Sequence, residues 1–146
     1  MIRQLSLYDV VPICEMLIDL REESPEYQHV IEDWDHVPKY LKELICHPSF
    51  VGVMDDDYRG FMMGYVQEHW YSRRLDAQEQ LLYVCPQHRG TLLAPRLIKS
   101  FEKEAKAKGA LNVYAGATTG MAEERTIQLY ERLGYRRTLP GVRKEL

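Results

Sequence analysis

The sequence predicts a single mixed α/β (α+β) domain, and three patterns carry that prediction. Residues 80–115 read strand, glycine-bearing turn, amphipathic helix, strand, which is a β-α-β unit with its two strands parallel. Residues 50–70 read as two apolar runs around a polar turn, which is a hairpin. Near both ends, apolar residues recur at helical spacing. A chain of 146 residues with 45% hydrophobic content suffices for one core, so residues 1–146 are expected to form one domain.

Taken in order, Ile2 to Leu5 form a short first strand, and Ser6-Leu7-Tyr8-Asp9 matches the pattern of a capping box that opens a helix. Ile13, Leu17 and Leu20 continue an apolar stripe to about Arg21, and Pro12 falls in the first turn, where a missing N–H costs least. Ser24-Pro25 breaks this helix, and a second is expected over Val37 to Cys46, with Leu41, Leu44 and Ile45 inward. The hairpin strands are Phe50 to Met54 and Phe61 to about Trp70, joined by the turn 55–60. Gln80 to Cys85 is a fourth strand, stopped by Pro86. Leu93, Leu97, Phe101 and Ala105 mark the third helix, and Gly109 stops it. Leu111 to Ala115 is the fifth strand. The fourth helix runs from about Met121 to Leu133, ahead of Gly134. Two short strands, Tyr135 to Leu139 and Val142 to Leu146, are expected to close a sheet of about seven strands. They would leave an edge that a second subunit of a homodimer could cover.

The net charge of −3 makes the molecule a poor electrostatic match for nucleic acid. Charge is unevenly placed, however. From Glu15 to Asp35 eight acidic residues stand against Arg21 alone, whereas from Pro86 to Lys108 six Lys or Arg face Glu102 and Glu104. Cys14, Cys46 and Cys85 are widely spaced and odd in number, which fits free buried thiols in a reducing compartment. The five histidines lack metal-ligand spacing, so no metal is expected. Without an apolar run of membrane-spanning length or a signal-peptide core, the expected location is the cytoplasm, with no membrane partner.

The richest stretch in chemical terms is Val84-Cys85-Pro86-Gln87-His88-Arg89-Gly90-Thr91-Leu92-Leu93-Ala94. A strand ends, the chain turns, and a helix begins with its first N–H groups unpaired and its positive dipole end exposed, which suits a pyrophosphate. Gly90 permits close backbone approach and Arg89 adds charge at the mouth, with Arg96 farther along the helix.

Val-x-Pro-x-x-Arg-Gly-x-x-x-Ala followed by an amphipathic helix resembles the acetyl-CoA loop of the GNAT superfamily of N-acetyltransferases. That family's pattern is Q/R-x-x-G-x-G/A; Arg89 takes the first place and Ala94 the last, while Leu92 stands where the family has its middle glycine. Pro95 removes a further donor from the first turn. Downstream, Thr126-Ile127-Gln128-Leu129-Tyr130-Glu131-Arg132-Leu133-Gly134-Tyr135 resembles the family's A-x-x-L-Y-E-K-L-G-F, and the element order agrees. More loosely, Glu23-Ser24-Pro25 and Thr119-Gly120-Met121 are similar to segments of small single-domain acetyltransferases of phage and prophage genomes.

The resemblance implies transfer of an acetyl group from acetyl-CoA to a primary amine by direct attack in a ternary complex. It implies that Leu82, Tyr83 and Val84 hold the pantetheine arm through their main chain, and that Arg89, Gly90, Thr91, Leu92, Leu93, Ala94 and Arg96 surround the phosphates. It also implies that Tyr130 serves the departing thiolate. A phenol is chemically suited to that role, although Ile127, Tyr130 and Leu133 also form a packing stripe. Glu79 is the best-placed carboxylate for a general base, with Glu68, Asp76 and His69 as rivals, and a surface role is the competing reading of each. The acceptor wall falls on the acidic segment, with Glu23, Tyr27 and Trp34, so a cationic acceptor is expected: a small cationic amine or a protein amine. A catalytically inactive protein of the same fold, binding acetyl-CoA or a protein, is the alternative.

Overall fold

The computed structural model describes residues 1–117, 119–138 and 141–146. Five strands form one sheet in the order β1-β2-β3-β4-β5: β1 Ile2–Gln4, β2 Phe50–Asp55, β3 Gly60–Glu68, β4 Leu75–Val84 and β5 Asn112–Tyr114. The first four pair antiparallel, and β4 and β5 pair parallel, as the β-α-β reading requires. Five helices accompany them: α1 Val10–Glu23, α2 Pro25–Gln28, α3 Val37–Cys46, α4 Leu93–Ala107 and α5 Glu123–Arg132.

Two apolar layers sandwich the sheet. Ile13, Met16 and Leu20 of α1 and Leu41 of α3 bury against Phe50, Met54, Phe61 and Met63 on one face. On the other, Leu97, Ile98, Phe101 and Ala105 of α4 bury against Val51, Val53, Met62 and Val66. The strand residues alternate between the layers, as the pleat dictates. At the N-terminus of α1 the main-chain N–H of Ser6 donates to Asp9 Oδ2 at 2.8 Å, and Arg3 grips the same buried carboxylate with two bonds of 2.8 Å. This is the acidic half of the capping box expected from the sequence.

Among the described residues the sheet has five strands where about seven were expected, and there are five α-helices where four were. The described residues of Tyr135 to Leu139 and Val142 to Leu146 form no strand; Leu139 and Pro140 lie outside the described residues. The side chains of Val142 and Leu146 are fully exposed, so the run 142–146 has no apolar face to hold a strand in place. The extra helix is the single turn α2, opened by Ser24, whose Oγ accepts from the N–H of Tyr27, with Pro25 in its first turn. Cys46 is exposed rather than buried, while Cys14 and Cys85 are half-buried; all three are free thiols. No helix among the described residues is long and apolar enough to cross a membrane.

β4 begins five residues earlier than its apolar run suggests. Asp76 is buried but satisfied, accepting from Arg74 Nε at 3.0 Å and from Asn112 Nδ2 at 3.1 Å, so a polar pattern conceals a strand. Within β4 the register slips: Met63 pairs with Leu81, but Gly64 pairs with Glu79, leaving Gln80 as a one-residue bulge. A bulge inverts the facing of everything beyond it. Accordingly Ala77 faces the α4 layer, while Leu81 and Tyr83, of the same odd parity, face the α1 layer.

Candidate active site

β4 and β5 pair only at Asp76–Asn112, Ala77–Val113 and Gln78–Tyr114. Past that point the two part, and a cavity of about 510 Å³ occupies the gap, with Glu79, Leu82, Tyr83 and Val84 on one side and Gly116 and Ala117 on the other. The turn 88–92 with Ala94 and Pro95 of α4 closes one end, and one face of α5, from Ala122 to Leu133, forms a further wall.

The turn is arranged as an anion cradle. Its internal bonds run from His88 N–H to the Cys85 carbonyl, Arg89 N–H to the Pro86 carbonyl, and Leu93 N–H to Thr91 Oγ1. Among the described residues, the N–H groups of Gly90, Thr91, Leu92 and Ala94 have no acceptor. Gly90 holds φ +77°, a left-handed conformation that glycine adopts without penalty. The Leu92 side chain is largely exposed, so the substitution of the middle glycine does not plug the turn. Four bare donors at the positive end of a fifteen-residue helix make a strong local field for a phosphate.

Glu79 sits at the crotch of the split. It is 3% exposed, and its Oε2 accepts from the N–H of Gly116 at 3.1 Å, just past β5. Burial pushes its pKa up to about 7, against the opposing effect of the main-chain groups of Gly116 and Leu82. Glu79 therefore changes charge near neutrality, which suits proton transfer at physiological pH. Its field contributes to raising the phenol pKa of Tyr27, Tyr130 and Tyr135, so all three lie within its reach, although burial is the first cause in each.

The other expected site residues divide. Leu82, Tyr83, Val84, Arg89, Gly90, Thr91, Leu92 and Ala94 all line the cavity with Glu79. Leu93 and Arg96 do not: Leu93 turns into the α4 core, and Arg96 is exposed on the far side of the helix turn. Tyr130 is absent from the cavity wall as well. It is 3% exposed, stacks edge-on to Tyr135 at 5.0 Å between centroids, and its hydroxyl has no hydrogen-bond partner. Burial holds that phenol well above its ordinary pKa. Among the acceptor-side residues, Tyr27 is half-buried against the α1 layer, and Trp34 is half-buried away from the cavity.

Glu23 and Arg89, expected to serve acceptor and phosphate separately, are joined. Arg89 donates to both Glu23 oxygens, at 2.9 and 3.2 Å, and through Nε to the Val84 carbonyl at 2.8 Å. Its guanidinium lies 5.5 Å from the Tyr83 ring centroid, and the Tyr83 hydroxyl donates to Glu23 at 3.3 Å. A second tie lies nearby, where Ser24 Oγ donates to the Thr119 carbonyl. The acidic segment is thus fastened to the cavity loops at both Glu23 and Ser24.

The wall provided by α5 escaped sequence reasoning. Ala122, Arg125, Thr126, Leu129, Arg132 and Leu133 share a helical face on the cavity. The signal was available as the three- and four-residue spacing 122, 125, 129, 132.

Comparison with known proteins agrees with this geometry. No curated protein sequence matches. Among solved structures, the aminoglycoside acetyltransferase HMB0005 from an uncultured soil metagenomic sample aligns over 100% of this chain and 97% of its own, at 22% identity and TM-score 0.77. Ribosomal-protein-alanine N-acetyltransferase from Brucella melitensis biovar Abortus 2308 aligns over 100% and 98%, at 17% identity and TM-score 0.71. A tetramutant of the BH1408 protein from Bacillus halodurans aligns over 100% and 99%, at 13% identity and TM-score 0.80. At such identities the likeness is one of fold. A sequence model of the Acetyltransferase (GNAT) family matches residues 14–135, from α1 through the end of α5, and the chain belongs to that family.

Proposed function

We propose that the protein transfers the acetyl group of acetyl-CoA to a primary amine of a cationic acceptor, by direct attack within a ternary complex. The observation that carries this reading is the split between β4 and β5, which runs from four bare amides at one end to a neutral-range carboxylate at the other.

The residues present fit the co-substrate. The N–H groups of Gly90, Thr91, Leu92 and Ala94 would receive the diphosphate, and on β4 the Leu82 carbonyl and the Val84 N–H, which alternate with the β3-paired main chain of Tyr83 and have no β5 partner, would hydrogen-bond the amides of the pantetheine arm. Acetyl-CoA supplies an activated acetyl thioester at the inner end of the gap. Glu79, ionised, accepts the proton of the attacking amine, directly or through one water, as the C–N bond forms and the C–S bond breaks. Tyr130 lies behind the cavity wall with its hydroxyl protonated and unpartnered, and its role as hydrogen-bond donor to the departing sulfur rests on the motif resemblance. Tyr130→Phe is expected to lower kcat about 100-fold and leave the Kd for CoA within about twofold; an unchanged kcat would make Tyr130 a core residue only.

The acceptor reading rests on charge. Glu22 and Glu26 lie on the segment fastened to the cavity loops, where Glu23 is balanced by Arg89, and Tyr27 stands within the field of Glu79. Two structural neighbours act on amines by name, an aminoglycoside and a ribosomal protein alanine, which supports an amine acceptor here. The test is release of CoA thiol from acetyl-CoA with a panel of polyamines, aminoglycosides and peptides bearing free amines. At least one class is expected to accelerate release well above the amine-free rate. Uniform background rates, with acetyl-CoA demonstrably bound, would leave a binding protein without turnover.

A further inference from the structure

We propose that Arg125 of α5 is the cationic clamp on the phosphate groups of the co-substrate, and that Arg89 instead serves as a strut between the acceptor wall and the cavity loop. The proposal rests on the reading that the ligand is CoA.

Of the charged groups lining the cavity, Arg89 is the one next to the turn in sequence, yet its donors are committed. Two nitrogens hold Glu23 and the third holds the Val84 carbonyl, so its charge is largely neutralised in place. Arg125 stands in the opposite situation. Among the described residues it has no ion-pair or hydrogen-bond partner, and its nearest acidic neighbour on the helix, Glu124, is bonded to Arg137. Its Nη2 lies where it would meet a Cβ on Gly90 at 3.6 Å, and no other heavy atom outside the adjoining residues comes within 4 Å of that point. A guanidinium therefore reaches across from α5 to the very turn whose N–H groups are bare.

Positive groups converging from two elements repel one another, and a diphosphate between them removes that repulsion. The guanidinium fork also matches phosphate oxygens with two parallel bonds, which single amides do not. Gly90 fits this arrangement, because a side chain there would project toward Nη2. Arg132 lies on the same helix face two turns farther on, roughly 10 Å along the axis, too far to share one phosphate with Arg125.

Titration calorimetry of the whole protein with CoA tests this directly. Arg125→Gln is expected to raise the Kd for CoA about 10- to 100-fold and to flatten its dependence on salt. Lys106→Gln, which removes one exposed charge at the far end of α4, controls for bulk charge and is expected to change Kd less than twofold. Arg89→Gln is expected to raise Kd less than Arg125→Gln, and to lower the melting temperature by breaking the tie to Glu23. Equal affinity of Arg125→Gln and the parent protein, with the parent binding CoA, would overturn the clamp alone. Absence of CoA binding by the parent would instead overturn the acetyltransferase reading beneath it. A loss in Arg125→Gln matched by Lys106→Gln would reduce the effect to general charge and also overturn the clamp.

Discussion

The Glu79→Gln variant loses turnover by about 100- to 1,000-fold and at the same time becomes more stable than the parent protein above neutral pH. Both effects follow from one carboxyl group held at 3% exposure with its pKa raised from 4.5 to about 7. For catalysis, the ionised form is needed, so kcat/KM of the parent rises with pH through about 7 and that limb vanishes in the variant. For stability the sign is opposite. A group whose folded pKa exceeds its unfolded value favours the fold below the unfolded pKa, here 4.5, and that contribution fades as pH rises through the folded value near 7. Above pH 7 the buried negative charge costs up to about 3 kcal/mol, a penalty that glutamine, neutral throughout, does not carry. Glutamine retains an oxygen to accept from the N–H of Gly116, so the crotch between β4 and β5 stays tied. Chemical denaturation at pH 5 and pH 8 separates the cases: the variant should gain over the parent only at the higher pH. A carboxylate that merely ties the two strands would show the stability difference while leaving the pH profile of turnover unchanged.

Gly64→Ala destabilises the domain by about 3 kcal/mol and lowers acetyl-CoA affinity. The cause is steric. A Cβ at Gly64 would lie 2.0 Å from the Gln78 carbonyl oxygen and 2.9 Å from its carbon, both main-chain atoms of the neighbouring strand. No rotamer relieves a clash with backbone, so β3 and β4 must separate where the Gln80 bulge turns Glu79 into the gap. The loss is measured by thermal or urea unfolding, and binding by calorimetry at a temperature where the variant is folded. An unfolding curve superimposable on the parent's would show that this stretch of sheet yields freely, and the rigid bulge would no longer explain the placement of Glu79.

The contrast between these two residues marks the limit of reading along the chain. Glu79 stood out as a carboxylate beside an apolar strand, yet the reading began that strand at Gln80 and left Asp76, Gln78 and Glu79 outside it. The polar residues carry their own partners in the folded state, Arg74 and Asn112 for Asp76 and Gly116 for Glu79, so they do not need the polar surroundings their types suggest. Gly64 gave no sign of its importance, because the atoms that exclude a side chain belong to a strand fourteen residues away. The two C-terminal strands illustrate the reverse error. Val142 and Leu146 have strand-like character, but their side chains are exposed and cover no sheet face, and strand propensity alone does not build a strand.

From the sequence alone came the class of fold, the β-α-β unit and the turn that bares its amides. These rest on local physics: helical spacing, a proline stop, a glycine with positive φ and the unpaired first turn of a helix. Tertiary structure decided which charges work together. It paired Arg89 with Glu23, turned Arg125 toward Gly90, and sank Glu79 far enough to titrate near neutrality. A charge acquires its pKa and its partner from groups that are distant in the chain and near in space, and only packing brings those groups together.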